Sequence, residues 1–245
     1  MHFRLKLAYD GAAYHGWQKQ PQLKTVQGVL EGALMRLTRT CGNLNASGRT
    51  DAGVHALDQV VSFSADTSLS PDNLLRALNS LLPSDIVVTE VTYVPEDFHA
   101  RYSAKSKVYL YMIWKDPFPS PFYYRYSWHI PFPLNLETME EAAGHLLGTH
   151  DFSAFRATSG KDRNPQRNLL RIDLVSEESF LKMFVEADAF LHHMVRNIVG
   201  TLVEIGRGRF LSYQSKVILE SRDRRKAGPT APPQGLFLYR VNYCN

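Results

Sequence analysis

The chain opens with an alternation of apolar and polar positions over residues 3–9, with Phe3, Leu5, Leu7 and Tyr9 on one side. A period of two predicts a half-buried strand. Asp10 and Gly11 turn it, and Tyr14, His15, Gly16, Trp17 and Gln18 follow in a loop. The period then changes. Thr25 is placed to cap a helix whose apolar positions are Val26, Val29, Leu30, Ala33, Leu34 and Leu37. A short strand at 44–47 and a β-branched, aromatic strand at 59–64 come next. Ser70, Pro71 and Asp72 combine a cap, a first-turn proline and an acid at the positive helix end. The helix they start carries Leu74, Leu75, Leu78, Leu81 and Leu82 and stops at Pro83; residues 86–93 form a buried strand. The first half reads β-α-β-β-α-β.

The same order recurs after a switch near residue 104. Residues 107–115 form a strand, with Val108, Leu110, Met112 and Trp114 on one face and Tyr109 and Tyr111 on the other. A proline-rich and aromatic loop fills 117–133. Asn135 caps a helix bearing Leu136, Met139, Ala142, Ala143, Leu146 and Leu147, closed by Gly148. Residues 169–176 and 180–189 pair as a hairpin around Glu177 and Glu178. A helix holding His192, His193, Met194, Val195, Arg196 and Asn197 continues through Ile198, Val199, Leu202 and Val203. A shorter helix at 212–220 and a strand at 236–241 end the chain. The expectation is an α/β (α+β) protein of two halves, 1–103 and 104–245, with helices outside mixed sheets and a cleft between the halves.

Composition changes this picture little. Of 245 residues, 44% are hydrophobic and 21% charged, which suits a soluble globular protein. No apolar run is long enough for a membrane helix, and the N-terminus does not look like a signal peptide. Cys41 and Cys244 have neither metal spacing nor a disulfide framework, so a reducing cytoplasm is the expected home. Net charge is +4. Its distribution says more: Arg156, Lys161, Arg163, Arg167 and Arg171 share a segment whose only acid is Asp162. Arg222, Arg224, Arg225 and Lys226 follow Arg207 and Arg209. Such clusters suit phosphate neutralisation, or form solvated loops.

The richest chemistry lies in Ala46, Ser47, Gly48, Arg49, Thr50, Asp51, Ala52, Gly53, Val54, His55 and Ala56. Two glycines allow tight backbone angles and close approach to a ligand. Asp51 is a candidate catalytic acid or base, or else a turn residue capping local amides. A carboxylate at work in a dry cleft needs a cation to stay ionised; Arg49 and Arg196 are the candidates. Tyr109 and Tyr111 offer faces for a flipped base, or ordinary sheet packing, which is expected for at least one of them. Adjacent histidines on a helix point about 100° apart, so His192 and His193 do not suggest a chelate. No nucleotide-cofactor, serine-hydrolase or zinc motif occurs.

These residues, taken in order, resemble the tRNA pseudouridine synthase A (TruA) family over nearly the whole length. The resemblance runs from residues 7–11 through Gly16, Trp17 and Gln18 to residues 25–31. The signature follows in Gly48, Arg49, Thr50, Asp51, Ala52, Gly53, Val54 and His55. Residues 98–104 then lead into Tyr109. His150, Asp151 and Phe152 precede His193, Met194, Val195, Arg196 and Asn197, and residues 230–236 complete the series. The resemblance implies isomerisation of uridine to pseudouridine in the tRNA anticodon stem-loop, typically at positions 38, 39 and 40. It places Asp51 on the catalytic aspartate and Arg196 on its arginine partner. Tyr109 falls on the tyrosine that packs against the target nucleotide, and Arg49 on an arginine associated with the flipped-out state. It also implies a basic cleft, a homodimer, and no metal or organic cofactor. Asp58 departs from the family where a small residue is common, as do Lys107 and Val108 where arginines often occur. Two rivals share these features: a non-catalytic RNA-binding protein, and a hydrolase that cleaves the glycosidic bond without rejoining it. The latter ordinarily needs two placed carboxylates, and only Asp51 has a clear case.

Overall fold

A computed structural model describes residues 1–158 and 164–244. The chain divides into two compact units, Met1–Lys105 with Phe237–Asn245, and Ser106–Leu236. It is a mixed α/β protein, as the sequence pattern predicts.

In the first unit, strand β1 is His2–Tyr9 and helix α1 is Val26–Leu37. Two short strands, β2 (Thr40–Cys41) and β3 (Asn45–Ala46), lead to the long β4 (His55–Asp66). Helix α2 (Pro71–Leu81) and strand β5 (Ile86–Tyr93) follow. The sheet runs β5-β1-β4, and β11 (Leu236–Tyr243) is added beside β4. β1 is antiparallel to both neighbours, with Leu5 opposite Val61 on one side and Val91 on the other. β11 is parallel to β4, with Phe237 opposite His55. The last strand of the chain therefore belongs to the first unit. Phe3, Leu5 and Leu7 are buried, as are Leu30 and Leu34 of α1 and Leu74 and Leu78 of α2. Both helices begin where their caps place them: Thr25 Oγ1 accepts the Gly28 N–H and Ser70 Oγ accepts the Asn73 N–H.

β4 is twice the length that the sequence suggests. Its first four residues break strict alternation: His55 and Ala56 are both buried, Leu57 is exposed and Asp58 is half-buried. β4 is central, with β1 on one side and β3 and β11 on the other. Polar residues survive there by pairing. Gln59 is fully buried and makes two side-chain hydrogen bonds, and buried Ser62 Oγ accepts the Ala100 N–H.

In the second unit, β6 spans Ala104–Trp114, β7 Trp128–His129, α3 Leu136–Gly144 and β8 Gly148–Asp151. β9 (Gln166–Glu177), β10 (Phe180–Ala187), α4 (Met194–Gly206) and α5 (Gln214–Ser221) complete it. The order β6-β10-β9-β8 is antiparallel throughout. α4 is buried on nearly every side, and Gly206 lets it meet α3 closely: a Cβ there would fall 2.4 Å from Met139 Sδ. Gly148 does not close α3, which ends at Gly144. With φ +100° it instead opens the edge strand β8. His192 and His193 likewise precede α4 rather than lie on it. His193 is left-handed (φ 62°), and the two imidazole rings sit 4.0 Å apart, not splayed as helix geometry implies.

Asp58 shows how β11 is held once it leaves the β4 ladder. Its Oδ2 accepts the Val241 N–H at 3.0 Å. Burial raises its pKa above the usual carboxylate range, against the lowering effects of the Val241 N–H, Lys6 and Arg240; Glu90 raises it further. An acid whose folded pKa is raised binds its proton more tightly when folded. Its stabilising effect is present below the unfolded pKa and is lost as pH rises through the folded one. Asp58→Asn keeps an acceptor and removes the charge. Its urea midpoint relative to wild type is expected to rise between about pH 4 and pH 7; an unchanged difference contradicts this reading.

Candidate active site

The Asp51 loop crosses from β3 to β4, and its neighbours fix it at both ends. Ser47 N–H donates to the Val60 carbonyl at 2.8 Å. Ser47 Oγ donates to Gln59 Oε1 at 2.8 Å, and Gln59 Nε2 donates to the Gly48 carbonyl at 2.9 Å. One buried amide thus ties two consecutive loop residues to β4. Thr50 is buried; its carbonyl accepts the Trp17 N–H at 3.0 Å, and its Oγ1 shares a 2.8 Å hydrogen bond with Tyr9 Oη. Burial pushes the Tyr9 phenol pKa up, so it stays protonated at neutral pH. The Val54 N–H closes the turn onto the Asp51 carbonyl at 3.1 Å.

Glycine is required where the neighbouring loop meets this one. A Cβ on Gly16 (φ +86°) would lie 2.6 Å from the Thr50 carbonyl oxygen, and one on Gly11 would lie 2.0 Å from that of Val54. His55, fully buried, stacks on Phe237 with ring centroids 4.7 Å apart. Its Nδ1 lies 3.0 Å from both the Gly11 amide and Asp10 Oδ1. Above this framework Asp51 is half-buried and Arg49 is exposed.

In the second unit the two candidate tyrosines are both buried, not set on a polar face. The strand carrying them pairs with β10 along its length and with β7 at its far end. Tyr111 Oη donates to the Pro232 carbonyl at 2.8 Å, the satisfied packing role expected of at least one of the pair. Tyr109 meets Phe190 edge-on, with centroids 5.0 Å apart. Arg196 is half-buried in the first turn of α4. Its Nε donates to the Ala231 carbonyl at 2.7 Å, and its own carbonyl accepts the Ala231 N–H at 3.0 Å.

The basic runs are less free than the sequence suggests. Arg207 and Arg209 pair with Glu204, Arg225 with Asp223, Arg222 with Asp151, and Arg171 with Asp173 and Glu186. Arg224 turns inward. The exposed pairs are weak, so an incoming phosphate competes for the same guanidinium groups. Lys161 and Arg163 lie outside the described residues.

Residues 7–103 and 142–244 match the sequence family described as tRNA pseudouridine synthase. The chain belongs to that family. It is similar to the tRNA pseudouridine synthase A of Moorella thermoacetica, at 48% identity over 242 residues and 98% of each chain. With that of Thermoanaerobacter sp. (strain X514) it shares 47% identity over 235 residues and 96% of each chain. With that of Acetivibrio thermocellus it shares 44% over 240 residues and 98% of each chain. A chain in a crystal structure of a Cbf5-Nop10-Gar1 complex aligns with 96% of this chain and 48% of its own, at 12% identity and a TM-score of 0.39. That likeness is distant.

Three parts of the framework have only faint signals in the sequence: the Tyr9–Thr50 pair, the Gln59 clamp and the polar cluster behind Arg196. Gln59 and Asn197 each follow a charged residue, Asp58 and Arg196, and carry no signal of burial; their partners are distant in the chain. Tyr9→Phe isolates the Thr50 hydroxyl in a buried setting. It is expected to cost about 1–3 kcal/mol of stability, read from urea denaturation. An unchanged midpoint would mean that the pair does not hold the loop.

Proposed function

We propose that this protein isomerises uridine to pseudouridine in the anticodon stem-loop of tRNA, at positions 38, 39 and 40, with Asp51 as its catalytic carboxylate. The observation that carries this reading is the near full-length family match, which spans the loop holding Asp51. The rigid backbone around that loop supports it, because a group acting on a sugar must be aimed before the substrate arrives.

The reaction breaks the C1′–N1 bond, turns the uracil and forms a C1′–C5 bond; the hydrogen on C5 leaves as a proton and the freed N1 takes one up. The atoms balance with no oxidant and no energy input, so no organic cofactor is required. The uridine must first leave the stack, at a cost of a few kcal/mol. Basic groups of the second unit supply phosphate contacts, and Tyr109 supplies a face for the target nucleotide. Arg49 attends the flipped-out state. Asp51 either attacks C1′ or removes a ribose proton to give a glycal. Arg196 keeps Asp51 ionised. Among the described residues no helix is long and apolar enough to cross a membrane; we assign the protein to the cytoplasm, acting as a homodimer on its tRNA.

The test uses tRNA transcripts in which uridines 38, 39 and 40 are replaced singly by cytidine, with paired partners exchanged where needed. Pseudouridine mapped after incubation is expected to disappear only at the replaced position. Binding without pseudouridine on any transcript favours the RNA-binding rival. Release of free uracil favours the hydrolase.

A further inference from the structure

We infer that Arg224 is a positioning residue for this chemistry, fixing the plane of the Arg196 guanidinium through the segment 227–231. The inference rests on the reading in which Arg196 serves Asp51.

Arg224 sits in a run of four cations that reads as an RNA-binding patch. Its guanidinium instead faces its own unit and meets four acceptors. Nη1 donates to the Gly228 carbonyl at 2.9 Å and the Ala227 carbonyl at 3.3 Å. Nη2 donates to Asn197 Oδ1 at 2.9 Å and Thr230 Oγ1 at 3.0 Å. A planar fork can reach carbonyls on one edge and side chains on the other at once; a lysine ammonium cannot reproduce that plane.

The side chains it grips are part of the same device. Asn197, fully buried, follows Arg196 directly on α4. Its Nδ2 donates to the Phe155 carbonyl at 2.7 Å, which leaves Oδ1 as acceptor for both Arg224 and the Thr230 hydroxyl, the latter at 2.7 Å. The segment also lies directly on the helix backbone. A Cβ on Gly200 would fall 1.7 Å from the Pro229 oxygen, and Gly228 N–H donates to Thr201 Oγ1 at 3.0 Å. One residue beyond Thr230, fully buried Ala231 bonds Arg196 at both its carbonyl and its Nε. Arg224 therefore closes a ring of contacts: Arg224 to Thr230 and Asn197, Thr230 to Ala231 along the chain, Ala231 to Arg196, and Arg196 to Asn197 along the helix. Each of these contacts joins two groups of the second unit. A misplacement of about 1 Å in such a group can cost on the order of a hundredfold in rate.

The test compares Arg224→Lys and Thr230→Val with wild type; the threonine variant decides the matter if the lysine variant does not fold. At saturating tRNA, kcat for pseudouridine formation is expected to fall at least about tenfold, while the Kd for tRNA stays within about twofold. In an Arg196→Lys background the same substitutions are expected to add nothing, since groups acting through one another are not additive. An activity-free readout is the exchange protection of the Arg196 Nε–H resonance, assigned by its loss in Arg196→Lys. It is expected to be protected in wild type and exposed in both variants. Weakened tRNA binding with unchanged kcat would make Arg224 an RNA contact and overturn the inference. So would continued Nε–H protection in both variants. Protection present in wild type and lost in both variants, with wild type making no pseudouridine, would leave the positioning intact and overturn the functional reading instead.

Discussion

Everything presented by the Asp51 loop depends on a buried hydrogen bond between two hydroxyls, Tyr9 Oη and Thr50 Oγ1. Tyr9 ends β1, the strand flanked by β4 and β5. The bond therefore ties the residue before Asp51 to the most firmly held part of the first unit. The loop cannot drift without stranding a polar group in the interior, which is far costlier than the bond's net strength suggests. The other constraints serve the same end. Gln59 fixes Ser47 and Gly48, Trp17 takes up the Thr50 carbonyl, and Gly16 and Gly11 allow two loops to touch backbone to backbone. A half-buried carboxylate is thus carried on backbone held by hydrogen bonds at Ser47, Gly48, Thr50 and its own carbonyl.

Arg196 is handled the same way by different means. A long cation has many rotamers, and ordering it costs entropy. Its Nε is committed to a buried carbonyl, and that carbonyl belongs to a segment pressed onto the helix that bears the arginine. In both places precision comes from buried polar groups held by hydrogen bonds. Such clusters specify one arrangement because a half-made version is worse than none.

The sequence revealed the elements better than their connections. β1, α1 and α2 were legible because Phe3, Leu5 and Leu7 alternate, and because Thr25 and the Ser70–Pro71 pair are caps with a local mechanism. β4 was only half legible, because its start does not alternate: His55 and Ala56 are buried side by side and Leu57 is exposed. β8 was missed, since Gly148, Thr149, His150 and Asp151 carry no apolar pattern and the strand exists only by pairing with β9. At the candidate site, Asp51, Arg49, Tyr109 and Arg196 stood out through family resemblance, and their chemical types agree with the proposed reaction. Their supports did not stand out. Thr50 lies 41 residues from Tyr9, and the contacts of Arg224 depend on which way a charge points. A run of cations shows its charge in the sequence but not its direction.

The central claim is that Asp51 carries out chemistry at the nucleotide rather than merely shaping an RNA-binding loop. The most direct measurement is release of tritium from tRNA labelled at uridine C5, with wild type and Asp51→Asn compared at equal tRNA occupancy. Bonding C5 to C1′ must expel that hydrogen. The account predicts release by wild type and none by Asp51→Asn while both bind tRNA alike. Comparable release by the two proteins, or none by wild type with tRNA bound, would contradict it.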